Sequence, residues 1–234
     1  MDQLQNTKLT VSSSTDEARI AFYKKTYTHL ALAVLLFIVV ESLFLQIEPL
    51  VTFALSLTQG WTWLVLLGAF MLVTNYAEKM AINNHDKTKQ YFALLLYVIA
   101  EAFIFVPLIY IAIIYAGDGG GELLNQAAII TLSLFSGLSA IVLLTKKDFS
   151  FMKSALAVVF FIALGLIIAG TLFGFNLGLW FSVGMVVLAA GSILYQTSNM
   201  VHKYSEDQYV AASLGLFASL MLLFWYVLSI LSRD

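Results

Sequence analysis

The chain contains no cysteine among its 234 residues. Disulfides, thiolate metal sites and a cysteine nucleophile are therefore excluded, and the redox compartment stays open. Charge is almost as scarce, at 11% of residues against about 25% in ordinary soluble domains. With 12 Lys and Arg against 14 Asp and Glu, the net charge is −2, so no basic excess points to nucleic acid as a partner. Catalytic signatures are missing too: there is no GxSxG and no HExxH, and His29, His85 and His202 are too scattered for metal ligation. These absences leave no cofactor and no enzyme reading. The run Gly117-Asp118-Gly119-Gly120-Gly121 has no strand before it and no Lys after it, so it reads as a flexible turn and not a phosphate loop. No second domain, low-complexity tract or internal repeat is visible. The first 19 residues lack the basic, apolar, small-residue order of a cleaved signal peptide, so the first hydrophobic segment is expected to stay in place as a signal anchor.

What is present is apolar surface. Hydrophobic residues make up 61% of the chain, more than a soluble protein of this length could hide, so the class is an all-α integral membrane protein. With about 20 apolar residues needed per span, the sequence resolves into seven spans at 26–46, 60–76, 91–116, 123–145, 154–173, 177–195 and 209–231. Residues 50–59 read as an outer loop or a short interfacial helix, with Trp61 and Trp63 at the interface that indole rings favour. Residues 1–25 form a cytoplasmic tail and juxtamembrane helix, and residues 26–234 the transmembrane domain. Ser14 with Glu17 fits a capping box opening that first helix.

Lys and Arg set the expected orientation. Lys8, Arg19, Lys24 and Lys25 precede span 1; Lys79, Lys87 and Lys89 follow span 2. Lys146, Lys147 and Lys153 follow span 4, and Lys203 follows span 6; the other connections hold none, and Arg233 alone falls on the far side. The positive-inside rule then gives a cytoplasmic N-terminus and an external C-terminus.

Charged groups at bilayer depth are costly and mark functional candidates. Glu101 lies in span 3, about 16 Å deep at 1.5 Å per residue. It must be protonated, paired with polar neighbours or exposed to a water-filled cavity, and no Lys or Arg lies inside a span to neutralise it. Pro107, six residues on, frees a carbonyl near Phe103 and kinks the helix. A carboxyl beside a kink suits a cation, and a packing kink without ligand is equally ordinary. Glu41, near the outer end of span 1, is expected to snorkel to the interface. Small residues recur every four positions at Ser136 and Ala140, at Gly165 and Ala169, and at Ala211, Gly215 and Ser219. Such stripes read as helix-packing faces, with pore lining the minor alternative. Span 7 holds no Lys, which argues against a retinal Schiff base.

Three stretches carry a resemblance: Thr145-Lys146-Lys147-Asp148-Phe149-Ser150-Phe151, Tyr195-Gln196-Thr197-Ser198-Asn199 with His202 following, and the closing Leu231-Ser232-Arg233-Asp234. Together with the seven spans, they resemble the Bax inhibitor-1 family, especially its bacterial branch of modulators of the membrane AAA protease FtsH. The resemblance implies a fold in which span 7 is central and wrapped by the other six. It implies residence in the bacterial cytoplasmic membrane, and either a calcium or other cation leak pathway or the restraint of a membrane AAA protease. For the second role the handle would be the N-terminal segment. Leak-forming members pair an Asp closing span 6 with an Asp in span 7, and the two share a proton. This sequence has Gln196 and Ser219 at those positions, so it is expected to keep a polar latch without the pH response. Control by titration, if there is any, falls to Glu101.

Overall fold

In lipid, every backbone N–H and C=O must be satisfied within the chain, and a helix does this inside one segment. A computed structural model describes residues 10–84 and 86–233. Lys8 with the rest of residues 1–9, His85 and Asp234 lie outside them. The described residues form eight α-helices: α1 (Asp16–Leu45), α2 (Glu48–Ser56), α3 (Trp61–Asn83), α4 (Lys87–Ala116), α5 (Gly120–Thr145), α6 (Met152–Phe173), α7 (Gly178–His202) and α8 (Tyr209–Leu231). All but α2 are long and apolar enough to cross a membrane. The only strand-like pairing among the described residues is a single bridge between Thr10 and Ser205.

The helices run past the apolar segments. Apolar content delimits what can sit in hydrocarbon, while the backbone stays helical into the polar zone. Thus α3 continues to Asn83, α4 starts at Lys87, and α7 carries its polar end to His202. The first helix is continuous from Asp16, but its N-cap is Thr15, which accepts the Ala18 N–H at 3.3 Å. Ser14, expected in that role, donates to the Thr10 carbonyl, because residues 11–13 turn back toward the bundle.

The last helix, α8, packs against α7, α1, α5, α4 and α3. Fourteen of its 23 residues are buried. Its Ala211, Gly215 and Ser219 stripe faces protein, and a Cβ on Gly215 would stand 3.0 Å from the Gln196 amide oxygen. The other two small-residue stripes do not pack. Ser136 and Gly165 are exposed, and α5 instead buries Ala127, Thr131, Phe135, Ser139 and Val142. Small residues permit close approach but do not compel it, and in both helices another face is buried. Helix α6 is the most peripheral span, packing on α7 and α3. Pro107 leaves α4 unbroken, buried beside Val106 on the side that receives α2.

At the lysine-bearing end of the bundle, polar groups of α7 fasten the connection between α5 and α6. Ser198 accepts the Phe149 N–H at 2.8 Å and donates to Asp148 Oδ1 at 3.1 Å. His202 Nε2 lies 3.2 Å from the Lys146 carbonyl oxygen, a contact that requires the Nε2–H tautomer. The N-terminal segment is strapped on as well: Val11 is fully buried and its N–H donates to the Tyr204 carbonyl at 2.9 Å.

Ser198→Ala strands the Phe149 N–H, at a cost of about 1–3 kcal/mol, and is expected to lower the melting temperature in detergent and to speed hydrogen exchange at residues 146–151. Ser150's hydroxyl and N–H, then Ser198, hold the Asp148 carboxyl below its usual 3.8. A depressed carboxylate contributes stability above its unfolded value and loses it as pH falls through the folded one. The Phe149 amide resonance should therefore stay fixed from pH 8 to 5 and move only below 3.8. Gly120→Ala would place a Cβ 2.9 Å from the Ile113 Cα, backbone that cannot yield. A loss of about 1–3 kcal/mol is expected in thermal melts, whereas Gly137→Ala, with open space around it, should melt like the parent chain.

Candidate functional site

A cavity of about 480 Å³ opens between α3, α4, α6, α7 and α8. Each helix presents one face to it. From α3 come Trp63, Leu67, Phe70, Met71, Thr74, Asn75 and Glu78, spaced by three and four as one helical stripe requires. Tyr97 and Glu101 project from successive turns of α4, and Ser192 and Gln196 from successive turns of α7. Helix α8 closes the space with residues that include Gly215 and Ser219. The walls are mainly apolar. The lining includes the carboxylates Glu78 and Glu101 but no Lys, Arg or His.

Glu101 is only 6% exposed, and its carboxylate forms no hydrogen bond or ion pair among the described residues. Its neighbour one turn back, Tyr97, is 8% exposed and lines the same cavity. Glu78 is half-buried and influences Tyr204, in the connection after α7. Burial, with Glu78 and Tyr195 adding to it, raises the Tyr204 phenol pKa. Glu78, Tyr97 and Glu101 thus line one cavity, with Glu78 nearest the lysine-bearing end of the bundle.

Three of the four residues singled out for an ion pathway, Glu101, Gln196 and Ser219, line this one space; Pro107 does not. Gln196 and Ser219 are not partners. The Ser219 hydroxyl is 2.8 Å from that of Ser192, one turn before Gln196, and also donates to the Gly215 carbonyl. The Gln196 amide lies over Gly215 and accepts from Asn199 Nδ2 at 3.4 Å. The seam between α7 and α8 is therefore closed by neutral contacts offset by one turn. His202 belongs to the loop fastening described above.

Glu41 does not snorkel. It is 4% exposed, and both carboxylate oxygens are buried without a hydrogen-bond partner among the described residues. Its position explains this, since Leu30, Ala33, Phe37 and Glu41 form one stripe of α1 turned inward. Glu78 was missed because the apolar run ends at Tyr76, two residues short of it. The spacing of Thr74, Asn75 and Glu78 was the available signal, since all three continue one face.

A second cavity of about 360 Å³ lies toward the opposite end, lined by residues that include Asn176, Ser182, Ser229 and Arg233. Arg233 reaches Ser182 Oγ at 3.5 Å. Trp63, Ile167, Trp225 and Tyr226 border both cavities, with the two indole rings stacked at 6.3 Å. No cluster of three or more metal-ligating His, Cys, Asp or Glu occurs among the described residues.

A family model described as inhibitor of apoptosis-promoting Bax1 matches residues 19–234. Protein lifeguard 4 of Mus musculus is 28% identical over 225 residues, 94% of this chain and 88% of that protein. The uncharacterized protein PA2604 of Pseudomonas aeruginosa is 38% identical over 112 residues, 47% of this chain and 50% of that protein. The modulator of FtsH protease YccA of Escherichia coli K12 is 35% identical over 124 residues, 51% of this chain and 56% of that protein. The chain thus spans about half the length of these two bacterial relatives. With the family model covering nearly all of the sequence, this membrane protein belongs to the Bax inhibitor-1 family.

Proposed function

We propose that the chain is a cation pathway, with calcium as the first ion to test, in the bacterial cytoplasmic membrane. In this reading the lysine-bearing end faces the cytoplasm, the N-terminus lies on that side, and α8 is the central helix enclosed by the other six spans. The observation that carries the pathway is the cavity against α8, with the buried, unneutralised Glu101 on its wall. A carboxylate at that depth needs water or a counter-ion, and a cation moving through would supply the charge that the lining lacks. No catalytic step belongs to this reading.

The α7–α8 seam has no titratable pair, so flux is expected without the sharp acid dependence that a shared proton confers. Proteoliposomes loaded with a calcium dye test both points: flux above empty liposomes, varying little across neutral to mildly acid pH. Flux at the empty-liposome level at every pH would refute the pathway. Placing carboxylates at both positions, Gln196→Asp with Ser219→Asp, should introduce an acid-dependent change, since the two side chains border one cavity.

The likeness to YccA favours a second reading, a modulator that binds a membrane AAA protease or its substrates. Its handle would be the N-terminal segment. Because Val11 is packed into the bundle, the deletion that spares the fold removes residues 2–9. Co-purification with the protease from native membranes, lost on that deletion, is the expected outcome; an intact association would count against this handle.

A further inference from the structure

We propose that Glu101 anchors a binding site for a protonated amine with an apolar, aromatic body, seated in the large cavity. The proposal goes beyond the pathway reading and does not need it, since a ligand can reside in the cavity whether or not an ion crosses the bundle.

Ring contacts fix the depth of Glu101 among its neighbours. Tyr97 of α4 meets Phe217 of α8 at 6.2 Å, and Phe105 meets Trp225 at 4.9 Å. Glu101 lies one turn from each of the α4 rings, so it stands level with Met221, one turn from each of the α8 rings. Across the α3–α4 hairpin, Glu101 is fourteen residues past Lys87, and Ala69 is fourteen before Asn83. Leu67 and Phe70 of α3 therefore reach the same depth. Leu67, Phe70, Met221 and Leu222 all line the cavity. Glu78, nine residues beyond Ala69, lies about 13 Å away along the axis, toward the lysine-bearing end. At its own depth Glu101 is thus a single carboxyl facing hydrocarbon.

That carboxyl is open to the cavity. Glu101 is 6% exposed and forms no hydrogen bond or ion pair among the described residues. Its oxygens are not sealed into the packing, whereas both oxygens of Glu41 are. A buried charge without a partner is costly, and a ligand bearing the opposite charge removes that cost.

The surroundings select an organic cation. A resident divalent ion takes about six to eight oxygens, and the facing side chains at this depth offer none. An ammonium needs less: one charge-assisted hydrogen bond to the carboxylate, with aromatic faces nearby to share its charge. Tyr97 and Phe105 stand one turn to either side of Glu101 on the cavity face of α4. Phe105 packs edge-on to Trp225, which stacks on Trp63 at 6.3 Å. With its ammonium at Glu101, a ligand would lay its apolar body along Phe105, Trp225 and Trp63. The lining holds no Lys, Arg or His to receive an anion, and a neutral ligand would leave Glu101 unpaired. At about 480 Å³, the cavity falls within the range of about 300–1,000 Å³ typical of small-molecule sites, which are likewise mostly apolar with few polar groups.

A trifluoromethyl-substituted benzylamine, followed by fluorine NMR, tests the site on the purified full chain in detergent, with empty micelles as the blank. The expected result is saturable broadening of the fluorine signal. The benzyl alcohol and benzoate of the same ring should bind at least tenfold more weakly. Glu101→Gln should weaken amine binding at least tenfold and bring it to the level of the alcohol, while Glu48→Gln, in α2 and outside the cavity, should leave it unchanged. Should melting temperature and monodispersity show that Glu101→Gln does not fold, Leu67→Trp takes its place, because it fills the space across from Glu101 and keeps the charge; it too should reduce amine binding at least tenfold. Equal binding of amine and alcohol by the parent chain, or amine binding unchanged in the folded variant, overturns the site. Charge-selective binding with no calcium flux in liposomes would uphold the site and refute the pathway, whereas flux without charge-selective binding would do the reverse.

Discussion

Carboxyl groups inside the bundle without Lys or Arg to meet them are the constraint on which the rest of the structure depends. A carboxylate cannot sit in hydrocarbon, and the chain has no Lys or Arg in the cavity lining to pair with Glu78 or Glu101. The packing accommodates them by leaving room. Helix α8 is buried along most of its length against five other spans, yet between its half-buried strip, α3 and the peripheral α6 the helices do not close. The volume that remains is where the two acids lie. Glu41 shows that this outcome was not forced by the presence of a carboxyl, because α1 buries both oxygens of its own acid within the packing and neither cavity described above includes it.

The aromatic layer gives the open volume a boundary. Trp63 and Trp225 stack where the carboxylate cavity meets the second cavity, with Ile167 and Tyr226 beside them. Phe105 packs edge-on to Trp225 at 4.9 Å and face-on to Phe224 at 5.8 Å, tying that layer into the core around α8. The acids therefore lie on one side of an apolar, mechanically supported partition, and Arg233 on the other. A single chain thus holds two spaces, one lined by carboxyl groups and the other by Arg233, with a few side chains on three helices bordering both.

Much of the fold was legible in the sequence, because apolar run length has few alternative explanations. The seven long spans follow from it; the continuous first helix rests on its capping residues, and the helix before Trp61 is one of two readings of that stretch, an outer loop being the other. Glu101 and the Gln196 region were legible as polar groups in an apolar context. What was lost depended on rotation about helix axes and on helix ends. Glu78 lay past an apolar boundary that the backbone ignores. Glu41 was placed by depth, when its facing was decided by the stripe through Phe37. The small-residue stripes of α5 and α6 were judged by spacing, which two faces of a helix can satisfy equally. The clasp made by Ser198 was hidden because its partners, Asp148 and the Phe149 amide, are about fifty residues away in the chain and come from a connection with no pattern of its own.

The α7–α8 seam then explains why the acids matter more here than the motif that closes α7. Ser192 and Ser219 are joined at 2.8 Å, and Gln196 is stacked over a glycine. Neutral contacts of this kind hold the same geometry whatever the pH, so the seam behaves as a fixed joint. Gly215 makes the joint possible: a larger residue there would push the Gln196 amide away from α8 and into the cavity. With that wall fixed, the electrostatics of the space are set by the opposite wall, where α3 and α4 carry Glu78 and Glu101. Any event that changes charge in the cavity must act there, and α3, which packs chiefly on α4 and only lightly on α8 and α6, is the less restrained of the two acid-bearing helices.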